Sequence, residues 1–164
     1  MSELKKCLVS NSFAAPPEHI LEGVDETLAH AATPGAPHTI YEELWHIAFW
    51  QEMSLEWVRG VERAYAEHAS IGFPTLEQIA AEPWAVLRAR FFVGMRLAGE
   101  YAEDASLLER VIRCPSPGGA PVRVMTARGQ LESLAGHNGY HFGRIVLLRQ
   151  LQGAWPPPSG GDTW

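Results

Sequence analysis

The sequence predicts an all-α fold, a bundle of four main helices with short extra helices and an extended proline-rich C-terminal tail. Three observations lead there. Apolar residues recur at helical spacing over long stretches near 39–69, 83–109 and 127–152. Segments rich in Pro and Gly, at 33–37, 71–74 and 113–124, separate those stretches. The long stretches also carry helix-boundary signals: a capping box at Thr39 and Glu42, Pro83 at a first helical position, and Gly153 after a last turn. The chain has 164 residues, enough for one domain with a proper core, read here as spanning 1–164.

Taken in order, a short helix is expected over Ser2–Ser12. Ser2 caps it, and Leu4, Cys7 and Leu8 form its apolar face. Pro16 and Pro17 open a second stretch to about Ala32, with Ile20, Leu21, Val24 and Leu28 at helical spacing. A loop over 33–37 follows. The long helix capped by Thr39 is read to Ala69, with Leu44, Ile47, Ala48, Leu55, Val58 and Val61 among its apolar positions. A turn of helix is expected over Thr75–Ala81. A third long helix over Pro83–Glu109 has the stripe Trp84, Leu87, Phe91, Met95 and Ala98. The Pro- and Gly-rich segment 113–124 reads as a loop with two short extended arms. The last long helix covers Ala127–Gln152. The tail at Trp155-Pro156-Pro157-Pro158 cannot be helical, and Trp155 and Trp164 are expected to hold it on the body.

Composition excludes several classes. The chain has 13 basic and 19 acidic residues, a formal net charge of −6. Lys5 and Lys6 are its only lysines, and the arginines are scattered. Nucleic-acid binding needs a basic footprint, so none is expected. No apolar run is long enough for a membrane span. Met1–Phe13 lacks the apolar core of a secretory signal, and a cytoplasmic setting is expected. Cys7 and Cys114 are too few for a disulfide framework. Cys114, in a Pro/Gly-rich segment, is expected to be exposed. It has no adjacent base that would make it a nucleophile.

Chemistry is carried by three histidines. His137 and His141 stand four residues apart, one turn along the same helix face. Leu131, Leu134, His141, Ile145 and Leu148 share a stripe that His137 borders, so the pair points toward a core. His46 lies inside another apolar helix, among Phe49, Trp50, Met53 and Trp57. Glu42 lies beside it and is assigned to the helix cap. Three imidazoles meeting between helices can hold a divalent ion such as Zn²⁺, Ni²⁺ or Fe²⁺ and leave a position open. The competing reading is two hydrogen-bonded core histidines in a tight helix–helix contact. Gly136, Gly139 and Gly143 crowd the same helix, which calls for close backbone approach or for room beside a ligand. A metalloprotease is disfavoured, because a His-Glu-x-x-His motif needs a carboxylate where this chain has Asn138.

The segments Leu44-Trp45-His46-Ile47-Ala48-Phe49-Trp50 and His137-Asn138-Gly139-Tyr140-His141-Phe142-Gly143-Arg144, with the ending Gly153-Ala154-Trp155-Pro156-Pro157-Pro158, resemble the DinB/YfiT-like superfamily of metal-dependent proteins. The resemblance implies an up-down-down-up four-helix bundle, often dimeric, with a divalent metal on His46, His137 and His141. It also implies a functional expectation: an S-transferase that activates a low-molecular-weight thiol such as mycothiol, bacillithiol or glutathione for attack on a small electrophile. The alternatives are a metal-dependent hydrolase and a non-enzymatic dimer that binds a metal or small molecule.

Overall fold

The computed structural model describes residues 1–9, 15–67 and 69–161. The fold is all-α apart from one small hairpin. Its helices are α1 (Glu3–Val9), α2 (Pro17–Ile20), α3 (Glu26–His30), α4 (Ile40–Val58), α5 (Leu76–Ala81), α6 (Trp84–Tyr101), α7 (Ala105–Leu108) and α8 (Ala127–Leu151). Strands β1 (Val111–Cys114) and β2 (Arg123–Thr126) pair antiparallel between α7 and α8, with Val111 opposite Thr126 and Cys114 opposite Arg123. These are the two extended arms expected in the loop. Helix α4 packs on both α6 and α8, and α1 packs on the same two, so the four helices close a ring around the core.

Helix starts follow the sequence signals. Thr39 Oγ1 accepts from the Glu42 N–H while the Glu42 side chain accepts from the Thr39 N–H, completing the predicted capping box. Thr75 and Gln78 repeat that device at α5. Ser2 Oγ accepts from the Lys5 N–H at α1. The expected residues Ser10–Ser12 of the first helix lie outside the described residues.

Helices α5 and α8 end within a residue of the expectation, at Ala81 and Leu151, the latter followed by Gly153 at φ +69°; the other ends differ from it. The stretch read as one helix from Pro17 to Ala32 is two short helices, because Gly23 takes a φ of +71° between them. Helix α4 stops at Val58 rather than Ala69, as Gly60 turns the chain at φ +90°. Helix α6 stops at Tyr101 rather than Glu109. Asp104 begins a new turn instead, its Oδ1 accepting from the N–H groups of Ser106 and Leu107.

The buried faces of α4, α6 and α8 are made by the expected stripes, except that Val61 lies beyond the end of α4 and is exposed. Leu44, Ile47, Ala48, Leu87, Phe91 and Ile145 meet in one part of the core, and Met53, Trp57, Ala98 and Leu131 in another. Two further corrections concern this core. Cys114 is buried rather than exposed, with its thiol 3.6 Å from Gln130 Oε1. Gly136, Gly139 and Gly143 make no tight helix contact: among the described residues, nothing lies within 4 Å of a Cβ built on any of them. The tail lies on α2. Pro157 is buried, the Arg149 guanidinium sits 5.3 Å from the Trp155 ring, and Ser159 N–H donates to Glu22. Trp164 falls outside the described residues.

Candidate metal centre

His46 comes from the middle of α4, and His137 and His141 come from successive turns of α8. The contact between these helices brings all three together. One ligand atom from each lies within 4.8 Å of the other two. His46 Nε2 and His137 Nε2 are 3.2 Å apart. Their rings are close as well, with the His46 and His141 centroids 4.4 Å apart and those of His137 and His141 4.6 Å apart.

The opposite nitrogen of each ring is engaged elsewhere. His46 Nδ1 is 2.7 Å from the Gly72 carbonyl, which can only accept, so Nδ1 carries the proton. His141 Nδ1 is 2.7 Å from Glu43 Oε2, a fully buried carboxylate, and donates to it. His137 Nδ1 faces the Asn138 side-chain oxygen at 3.3 Å. With their protons on Nδ1, His46 and His137 turn their Nε2 lone pairs toward each other. Two lone pairs at 3.2 Å repel unless a cation sits between them. The donor set therefore fits a divalent ion: three imidazole nitrogens inward, and carbonyl or carboxylate acceptors fixing each tautomer from behind.

Burial favours the neutral form of His46 and His137. Desolvation pulls the His46 pKa down to about 4, against a smaller upward pull from the Gly72 hydrogen bond. Desolvation also lowers the His137 pKa, opposed by the Asn138 hydrogen bond. Neutral imidazole is the form that binds metal.

The supporting residues were largely invisible in sequence. Glu42 serves the helix cap, as expected; its neighbour Glu43 supports His141. The Arg144 guanidinium lies 2.8 Å from Glu43 Oε1 as an ion pair, without the alignment of a hydrogen bond. Phe73 stacks on His46 at 4.2 Å, and His38 stacks on Phe73 at 3.8 Å. Gly72 admits this approach because a side chain there would press on Trp50 Nε1 and His46 Nδ1, 2.9 and 3.2 Å from its Cβ. One signal pointed to Glu43. It lies three residues after Ile40 and four before Ile47, both fully buried, so it is a carboxylate on an inward face.

The histidines border a cavity of about 440 Å³. Trp50, Trp57, Tyr65 and Leu134 supply its apolar wall, and Ser54, Gln130 and Arg123 its polar one. The segment after α4 folds back to reach it: Trp57 Nε1 donates to the Arg63 carbonyl, which places Tyr65 4.9 Å from Trp50 and 6.1 Å from Trp57. Cys114 does not line the cavity, and burial raises its thiol pKa.

The family model described as the DinB superfamily matches residues 18–145, a span that includes all three histidines. No curated protein and no solved structure matches the chain. The family match covers most of the sequence, and the chain belongs to the DinB superfamily.

Proposed function

We propose that this member of the DinB superfamily binds one divalent metal ion through His46, His137 and His141 and transfers a low-molecular-weight thiol to a small electrophile. The observation that carries the reading is the inward set of three imidazole nitrogens beside a cavity, each ring held from behind. A divalent ion so held supplies positive charge that lowers the pKa of a thiol or water beside it.

The chain's own residues do the rest. Gly72, Glu43 and Asn138 hold the three tautomers. Phe73 fixes the plane of His46. The aromatic wall of Trp50, Trp57 and Tyr65 takes up an apolar electrophile and excludes water. In the transfer, sulfur bonds to the electrophilic carbon, the leaving group departs with the bonding pair, and the thiol proton passes to solvent. Hydrolysis is less well served. Among the described residues no carboxylate lines the cavity to deprotonate water, because Glu43 is engaged by His141 and Arg144.

The test begins with elemental analysis of untagged protein beside His137→Ala. A panel of mycothiol, bacillithiol and glutathione against several electrophiles then follows. Metal-dependent turnover that falls with metal content in His46→Ala, His137→Ala and His141→Ala supports the reading. Equal rates for metal-loaded and metal-free protein sink thiol transfer and favour a metal- or small-molecule-binding module. The reading includes a cytoplasmic homodimer without nucleic-acid partners. Light scattering tests the dimer, and salt-dependent binding to duplex DNA would count against the last point.

A further inference from the structure

The cavity beside the histidines is electrostatically one-sided. Among the described residues that line it there is no Asp or Glu, and Arg123 is its one permanently charged group. The chain as a whole carries −6, so a positive cavity departs from the surrounding charge. Arg123 makes no ion pair among the described residues, whereas its neighbour across the hairpin, Arg113, meets Glu62. Its position is fixed by the hairpin. It pairs with buried Cys114 in β1, and its guanidinium lies 5.8 Å from the Trp57 ring. Trp57 is itself a wall residue, so the cation is held at the cavity.

The remaining polar wall offers donors. Gln130 Nε2 donates one hydrogen to Ser54 Oγ at 3.0 Å, and Gln130 Oε1 is occupied by the Cys114 thiol. That leaves the second Gln130 N–H and the Ser54 O–H without an acceptor among the described residues. Both side chains are buried and line the cavity. The Trp50 indole N–H is in the same position. A wall of unengaged donors and one guanidinium, facing three metal-binding nitrogens, is complementary to an anion.

We propose that this site selects an acidic small molecule whose carboxylate is held by Arg123 and the Ser54–Gln130 pair while its thiol end reaches the histidines. The thiol end rests on the metal reading above; the carboxylate end does not. Arg123 is a specificity-determining residue in this scheme.

The experiment uses cobalt-loaded protein and two simple thiols that differ in charge, 3-mercaptopropionate and 2-mercaptoethanol. The sulfur-to-cobalt charge-transfer band reports binding of each. At low ionic strength the acid binds about fivefold more tightly, as suits one exposed arginine–carboxylate pair. The preference disappears in Arg123→Gln and at high salt. It survives in Arg113→Gln, an arginine on the opposite strand that does not line the cavity. Equal affinities in the wild type, or a preference unchanged in Arg123→Gln, overturn the proposal. Failure of cobalt to bind sinks the metal reading alone. The carboxylate site is then judged on metal-free protein with glutarate, by NMR of the arginine Nε–H resonances. A shift lost in Arg123→Gln upholds it, and no shift overturns it.

Discussion

At the residue scale, the tightest dependence is that of His141 on Glu43. The carboxylate is fully buried, accepts from His141 Nδ1, and balances its charge against Arg144. Replacing Glu43 by Gln keeps the size and an acceptor oxygen but removes the charge that makes His141 a better ligand. Metal affinity is expected to fall by about tenfold or more, read by competition with a chromophoric chelator. An unchanged affinity would mean the pair is structural only. His46 gives a pH prediction for the metal-free protein. Unfolded, it takes its proton near 6.5; folded, near 4. Between those values the unfolded chain binds more protons, so stability rises with pH across the window. The stability present above pH 6.5 is lost as the pH falls toward 4, and His137 adds to the loss in the same direction. Urea melts at pH 7, 5.5 and 4.5 should show a smaller drop for His46→Gln than for wild type; equal drops would remove His46 as the cause.

At the element scale, helix starts were legible, and so was the end of α8 at Gly153, but the ends of α4 and α6 were not. A start is written locally, in Thr39 with Glu42 or Thr75 with Gln78, because the cap and its partner lie three residues apart. The ends at Val58 and Tyr101 depend on which of several tolerable breaks the tertiary contacts select. Gly60 and Asp104 were in plain view, yet the apolar spacing ran on past both. The same limit applies to the site. His137 and His141 share one helix, so their spacing exposed them. Gly72 and Phe73 reach His46 only through a loop that folds back, and no local pattern records that. The glycines show how far position outweighs residue type. Gly94 in α6 faces Gln51, whose Nε2 would lie 2.2 Å from an added Cβ and is bound to the Phe91 carbonyl. Gly139 in α8 has open space at that distance among the described residues. Gly139→Ala is therefore expected to stabilise by about 0.5–1 kcal/mol through helix propensity. Gly94→Ala is expected to destabilise by about 1–3 kcal/mol through overpacking. Chemical denaturation of the two variants compares them directly, and the same sign for both would refute the packing argument.

At the scale of the whole molecule, an ion held by the three histidines would cross-link the two longest helices. His46 stands on α4 and His137 and His141 on α8, so one ion bound by all three would tie together elements that are far apart in sequence. Without an ion, that contact holds buried imidazoles with the Nε2 atoms of His46 and His137 only 3.2 Å apart, which is a local cost inside the interface. An ion that binds only the folded chain stabilises it by mass action, about 2.7 kcal/mol when its free concentration is a hundred times its Kd. For a domain of this size that corresponds to a Tm rise of roughly 5–10 °C. Thermal melts with added metal, then with excess chelator, should show the rise and its reversal. His46→Ala should melt at the same temperature in both conditions, because two ligands on one helix no longer bridge to α4. If that variant keeps the full metal-dependent rise, the ion does not span the two helices, and binding by His137 and His141 alone becomes the better account.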